Sequence, residues 1–480
     1  MKVFISIFMI LITQFSVFSQ DENEISKTTY IFPILDAPFN TNFGSIKTSN
    51  NSPVPSMEQS VNLTKNTIQL SHRYLLYNFD DIKFINNYPI FKFLGIMTFD
   101  LLFYAIPLPL NLTWLHEEWH RAVMGNKRIA SSNDIYETSD ILDTTNVSDV
   151  KDSDLTRLKK DYPRDMIRLS SAGMESQTQL NLLLRKDTFF NGTNRYGDIP
   201  TLWINAFDNI NYLQTCSNKI VDSLTWQANL AEIDPNRRDF VGFDCTAWVY
   251  DLFRPNEAYA NRGVHIYGNG IDRYIKYSND KDYFTSALNK AVYGSEKHPS
   301  DLTDKEQDYL KKQYNLSYIN LINPALIGFT RFNGKNPFNG RDFYWNFGMS
   351  HFLTPFGYSI DSQFFLKQDN INLLIIYRTN INNFKKLPGL EIELIRFPFL
   401  VFKKILYINL GIHVWQQPLS LQFFTEEREN GGSLKSTIAI PIYNNLEFFV
   451  SPLAKSRGFM VGNIYLERAY ELRLGLNLVF

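Results

Sequence analysis

The chain has 480 residues, enough for two or three domains, and a formal net charge of −1. That balance gives no case for nucleic-acid binding or for a polyacidic partner. Aromatic residues make up 15% of the chain, with 39 Phe and 26 Tyr, an enrichment that fits a large aromatic core or a belt at a membrane interface.

Met1 to Ser19 has the form of a secretory signal: Lys2 gives the positive start, Val3 to Phe18 is almost wholly apolar, and Val17-Phe18-Ser19 is an acceptable cleavage site. No Cys stands at that site to receive a lipid. Residues 20–61 are polar and rich in Asn, Ser, Thr and Pro, which predicts an extended arm. Ile68 to Phe79 follows, carrying His72. The apolar run from Tyr88 to Leu112 is interrupted by Asp100 and closed by Pro107 and Pro109, which argues against a simple membrane span. It predicts a buried helix packed beneath the one that follows, with Asp100 in a cap or buried polar role, or else supporting a ligand histidine.

The following stretch carries the chemistry. His116-Glu117-Glu118-Trp119-His120 lies between Asn111 and Gly125 with no Pro or Gly between them. Asn111 or Thr113 can cap the start, and Gly125 with Asn126 and Lys127 can end it. On a helix, residues four apart share a face, so His116 and His120 can address one metal ion, while Glu117 can reach a water beside it.

Ser131 to Asp161 is polar and acidic, and is expected to be a surface loop. Leu169 to Leu184 predicts another helix, capped by Ser170 or Ser171, with Ala172 and Gly173 allowing close packing against a neighbour. Further helices are expected over Tyr212 to Leu230, Thr246 to Phe253, Asp282 to Tyr293 and Asp301 to Tyr314, the last charged and solvated. Asp244 and Asp251 fit a polar network without diagnostic spacing. Cys216 and Cys245 are compatible with a disulfide in an oxidising compartment and equally with two separate buried thiols.

From about Asn323 the pattern becomes period-2. Tyr470, Leu472, Leu474, Leu476, Leu478 and Phe480 alternate with Glu471, Arg473, Gly475 and Asn477, and similar alternation runs over 406–414, 358–367 and 438–442. Asn333-Gly334-Lys335-Asn336 and Asn430-Gly431-Gly432 read as turns between strands of about ten residues.

The His-Glu-x-x-His frame resembles the zincin metallopeptidases over about fifteen residues. The charged Glu118 and Arg121 depart from the uncharged side chains usual around that motif. The resemblance implies a zinc ion held by His116 and His120, with Glu117 as general base toward zinc-activated water. In zincins of the glutamate type the third ligand is a Glu on a later helix, and Glu175 matches that role, with His72 and His265 as competitors. The last 155 or so residues resemble an outer-membrane β-barrel, whose assembly signal is similar to an alternating final strand ending in an aromatic residue, here Phe480. A soluble β-sandwich would also alternate.

The expected fold is therefore α+β and multidomain: signal peptide 1–19, extended arm 20–61, a mainly α-helical zincin-like metal-binding domain 62–322, and an antiparallel transmembrane β-barrel 323–480. The expected function is an outer-membrane-anchored zinc metallopeptidase acting on a peptide or protein substrate, in contact with outer-membrane lipid and not with nucleic acid. The alternative is a non-enzymatic outer-membrane barrel, for transport or surface binding, in which the histidine helix is structural or fortuitous.

Overall fold

The computed structural model describes residues 28–40, 54–84, 89–136, 145–192, 198–218, 243–259, 302–337, 340–401 and 403–480. The signal-like segment, His265 and the helix expected over Asp282 to Tyr293 lie outside them, as does the part of the Tyr212 to Leu230 helix beyond Asn218.

The apolar-polar alternation of the C-terminal third becomes one antiparallel sheet of ten strands. β4 (Phe332–Lys335), β5 (Asp342–Thr354), β6 (Gly357–Gln368), β7 (Ile371–Ile381), β8 (Lys386–Val401), β9 (Lys404–Pro418), β10 (Arg428–Tyr443), β11 (Leu446–Lys455) and β12 (Ala469–Val479) pair in sequence order. The tenth, β1 (Thr29–Ala37), comes from the segment expected to be an extended arm and pairs with β12, Thr29 opposite Val479 and Ala37 opposite Leu472. Pro33 and the polar flanks hide its alternation in the sequence, and a register shift between Pro33 and Leu35 accommodates the proline.

The sheet exposes a row of apolar side chains and buries a mixed set that includes many charged and polar ones. Phe364, Tyr377, Ile392, Leu410, Ile412, Leu434 and Ile440 are exposed, whereas Asp361, Gln363, Arg378, Asn380, His413, Glu447 and Arg473 are buried. Within β12, Glu471, Arg473 and Asn477 point inward and Tyr470 and Leu472 outward. The inner charges are paired: Arg378 with Asp361 at 2.7 Å, Arg396 with Glu447 at 2.8 Å, and Arg473 with Glu471 at 2.7 Å.

The sheet is not closed, because β1 and β4 are its edges and do not pair. The free edge of β1 is sealed by the first helix, α1 (Met57–Asp80), which begins with the capping box Ser56–Gln59. Lys65 Nζ donates to the Thr29 carbonyl at 3.2 Å, Asn66 Nδ2 to that of Ile31 at 2.7 Å, and Gln59 Nε2 to those of Pro33 and Ile34 at 3.3 Å. Thr29, Ile31 and Pro33 alternate along the strand, so these are carbonyls directed away from β12. A helix thus supplies the donors that a closing strand would have provided.

Seven further helices complete the described fold: α2 (Pro89–Ala105), α3 (Leu112–Asn126), α4 (Asp152–Asp161), α5 (Pro163–Asn191), α6 (Asp198–Cys216), α7 (Asp244–Phe253) and α8 (Asp304–Ser317). No described helix is long and apolar enough to cross a membrane. α4, together with the short pair β2 (Ser132–Asn133) and β3 (Val147–Ser148), occupies the stretch expected to be a loop. Its two buried leucines, Leu155 and Leu158, are too few among charges to signal a helix. α5 is longer than expected. It starts at Pro163, whose fixed φ suits a first helical position, and Ser170 and Ser171 are interior residues, not caps.

α5 is the axle of the molecule. Arg185 binds Gln363 of β6 and the Phe347 carbonyl of β5, Lys186 binds Glu393 of β8 at 2.6 Å, and Phe189 and Phe190 pack on Phe365, Leu374 and Ile376. α5 also packs on α3, α6 and α7, so it links the inner face of the sheet to the helices. The main apolar core, including Leu115, Trp119, Val123, Leu180 and Leu184, forms where α3 meets α5.

The predicted turns fall largely within strands, with Asn336 alone opening the β4–β5 hairpin. Gly334 lies in β4, and Asn430-Gly431-Gly432 lies within β10. A Cβ on Gly431 would stand 2.4 Å from Trp415 Nε1 and 2.6 Å from Ser456 Oγ, so this glycine makes room across a strand pair and does not turn the chain.

Candidate metal centre

α3 is capped as expected: Asn111 Oδ1 accepts the Trp114 N–H at 2.7 Å. The helix is buried on nearly all sides, which explains the two charged residues that depart from the zincin pattern. Arg121 Nη1 donates to Glu118 Oε1 at 2.6 Å, Asn133 Nδ2 donates to the same oxygen at 2.9 Å, and Arg121 Nη2 reaches the Ser131 carbonyl at 3.2 Å. Glu118 and Arg121 are thus a buried internal pair that pins β2 to α3.

On the opposite face, His116 and His120 lie with ring centroids 4.9 Å apart. The residue that joins them is Asp244, the first residue of α7. Its Oδ2 is 2.8 Å from His116 Nε2 and 3.1 Å from His120 Nε2. Together the three side chains form a group whose ligand atoms all lie within 4.8 Å of one another and could hold a metal ion.

Three features of the chain hold this geometry. His120 Nδ1 donates to the Leu169 carbonyl at 2.5 Å, which assigns the proton to Nδ1 and turns the Nε2 lone pair toward Asp244. Gly173 of α5 faces the His116 ring, and a Cβ there would stand 2.3 Å from Nε2. Cys216 and Cys245 form a disulfide between the end of α6 and the second residue of α7, with Cα atoms 6.0 Å apart. That bridge sets Asp244 beside Tyr212, one turn before Cys216 on α6. The Tyr212 hydroxyl donates to Asp244 Oδ2 at 3.0 Å.

The site's electrostatics need a proton or a metal ion between His120 and Asp244. In a neutral His120 whose Nδ1 carries the proton, Nε2 is an acceptor facing a carboxylate oxygen, which is tolerable only with a proton or a metal ion between them. In the metal-free form, burial acts to lower the His120 pKa, but Asp244 outweighs it and raises it to about 9. Burial likewise opposes ionisation of Asp244, yet the two histidines hold its carboxyl far below the usual range. Burial pushes Glu117 up to about 7, with the two histidines pulling the other way. Two imidazoles and a carboxylate are a donor set suited to zinc and to other divalent transition ions.

Glu175 is not brought to the histidines. It lies two residues beyond Gly173, about 200° round the helix, and is fully buried with Arg168, whose Nη2 is 3.0 Å from Oε1. The same oxygen accepts the Gly462 N–H at 2.8 Å. His72 lies in a separate buried cluster, with Nε2 2.6 Å from Asp100 Oδ1 and Nδ1 3.7 Å from Asp198 Oδ1, while Thr201 Oγ1 donates to Asp100 Oδ2 at 2.7 Å. Asp100 therefore serves this cluster and not a ligand histidine, and α2 packs on α6 and α1. The sequence signal for Asp244 was thin: an Asp directly before one cysteine, with a Tyr one turn before the other. Comparison with protein-family models, with curated proteins and with solved structures finds no match for this chain.

Proposed function

We propose that this protein is a zinc-dependent metallopeptidase, seated in the outer membrane by its ten-stranded sheet. The observation that carries the reading is the convergence of His116 Nε2, His120 Nε2 and Asp244 Oδ2 on one point, with Glu117 beside them on the same helix. His116, His120 and Asp244 would hold the ion. Bound there, zinc would supply a Lewis acid that acidifies water and polarises a substrate carbonyl.

Glu117 takes the proton of the attacking water. A buried carboxylate on the same helix as both histidines can accept that proton and return it to the leaving amine. Leu169, Gly173 and the disulfide keep the ligands in place without touching substrate. The Tyr212 hydroxyl, already at Asp244, orients that carboxylate. Support for the membrane seat comes from the exposed apolar face and paired polar interior of the sheet, together with the signal-like first residues.

Purified protein should hydrolyse an unstructured polypeptide, lose that activity to a chelator and regain it with zinc. Glu117→Gln should retain the metal and lose turnover by a factor of at least about 10². Chelator-insensitive hydrolysis, or full activity in Glu117→Gln, would overturn the reading. Absence of both metal and hydrolysis would favour the non-enzymatic barrel.

A further inference from the structure

We propose that the metal centre opens to the cell exterior, so that its substrate is a polypeptide arriving from outside the cell. This deepens the reading of a peptidase in the outer membrane and rests on it.

The two ends of the sheet differ. At one end Thr28 and Phe480 exchange backbone hydrogen bonds of 2.8 and 3.0 Å, so the first described strand begins where the last one finishes. Three of the hairpins at that end are minimal, with two residues between Gln368 and Ile371, between Val401 and Lys404, and between Tyr443 and Leu446. The fourth hairpin there, from Lys335 to Asp342, has six; at the other end, beside short β5–β6 and β7–β8 turns, lie the two longest hairpin connections, from Pro418 to Arg428 and from Lys455 to Ala469. In outer-membrane sheets, strands enter from the periplasm, so the turns left there are short and the longer loops are those carried across to the outside.

The metal centre belongs to the long-loop end. Glu175, one short step along α5 from the Gly173 that faces His116, binds the Gly462 N–H of the Lys455–Ala469 connection. Lys127, next to the end of the histidine helix, binds Glu467 of the same connection at 3.1 Å. α7, which begins at Asp244, sends Trp248 Nε1 to the Thr354 carbonyl at 2.9 Å, in the β5–β6 turn at that end. From there to Phe480 the eleven residues of β12 span about 35 Å.

Among the described residues, the inside of the sheet toward the Phe480 end is filled by α5. α5 continues from the centre toward the minimal-turn end, and its Arg185, Lys186, Phe189 and Phe190 pack against β5, β6 and β8. A chain arriving at the Phe480 end would have to displace paired charges and a packed aromatic cluster, whereas His116 and Asp244 keep side-chain exposures of 12% and 23%.

The test uses the full chain in intact cells with an outer membrane, carrying a single added cysteine. Arg457→Cys lies in the long connection beside the centre, and Asn444→Cys in a minimal hairpin at the opposite end; both positions are exposed. The native cysteines are occupied by their disulfide. A membrane-impermeant maleimide should label Arg457→Cys to the same extent before and after the outer membrane is permeabilised. Labelling of Asn444→Cys should rise at least tenfold on permeabilisation. The reverse pattern, or equal labelling of both in intact cells, overturns the proposal while leaving the peptidase intact. Recovery of the protein in the aqueous fraction, with both positions silent until permeabilisation, overturns the membrane seat itself and the proposal with it.

Discussion

Gly173 offers the sharpest perturbation, because it touches the centre without supplying a ligand. In Gly173→Ala the new methyl would stand 2.3 Å from His116 Nε2 and 2.5 Å from Cδ2 and Cε1. Ordinary contact between such atoms is about 3.5 Å, so the ring must withdraw by roughly 1.2 Å or the two helices must part. Zinc–imidazole bonds of about 2.0–2.1 Å do not tolerate such a shift, and misplacing a ligand by disturbing its surroundings typically costs 10–100-fold in metal affinity. Overpacking costs about 1–3 kcal/mol, offset by about 1 kcal/mol of better helix propensity. The expected outcome is a folded protein that binds zinc roughly 10–100-fold more weakly, measured by competition with a chromogenic chelator. Wild-type affinity in Gly173→Ala would refute the placement of His116 against α5.

Other perturbations separate structure from chemistry. Replacing both cysteines with serine frees the start of α7, and should lower metal affinity by releasing Asp244. The loss of a bridge spanning a sequence separation of 29 should also remove about 3–4 kcal/mol of stability; equal zinc affinity in the double variant would contradict the staple role. In metal-free protein, Glu117 keeps its proton up to about 7 while the unfolded chain ionises near 4.5. Between those values the folded state binds more protons, so this residue's contribution falls as pH rises, by roughly 3 kcal/mol in all. Glu117→Gln should therefore melt increasingly above wild type from pH 5 to pH 8 in chelator, and a pH-independent difference would count against the buried carboxyl. Lys65→Met removes a donor to the Thr29 carbonyl and leaves Asp187, its partner at 2.7 Å, without its cation. It should accelerate hydrogen exchange along β1, and unchanged exchange there would show that α1 does not seal the edge.

Much of the centre was legible because the chemistry is local. His116, Glu117 and His120 fall on one helix whose cap, Asn111, can be read from the sequence, although the helix runs through Gly125 and ends at Asn126. The need for a small residue at Gly173 was also readable, as a packing requirement. The third position was not, because helical phase decides it: Gly173 facing the histidines turns Glu175 away, toward Arg168 and Gly462. Asp244 reaches the site only through a tertiary link, the disulfide to Cys216, and no local pattern encodes that pairing.

The C-terminal strands were legible for the opposite reason. Period-2 alternation survives any tertiary context, so β6, β9, β10 and β12 fall where Ile360, Ile412, Ile440 and Leu474 place them. Closure was not readable: the expected closed barrel is an open ten-stranded sheet. β1 escaped notice behind Pro33 and Pro38, and the role of Gln59, Lys65 and Asn66 in capping its edge depends on a helix lying alongside. The glycines of β10 misled because a close approach to Trp415 and a turn select the same residue type.

The central claim is that His116, His120 and Asp244 together hold a zinc ion. Metal content per chain, measured by elemental analysis after dialysis against buffered zinc, tests it most directly in wild type, Asp244→Ala and Glu175→Gln. Wild type and Glu175→Gln should each retain one zinc per chain, and Asp244→Ala should retain almost none under the same conditions. Zinc kept by Asp244→Ala and lost by Glu175→Gln would contradict the claim.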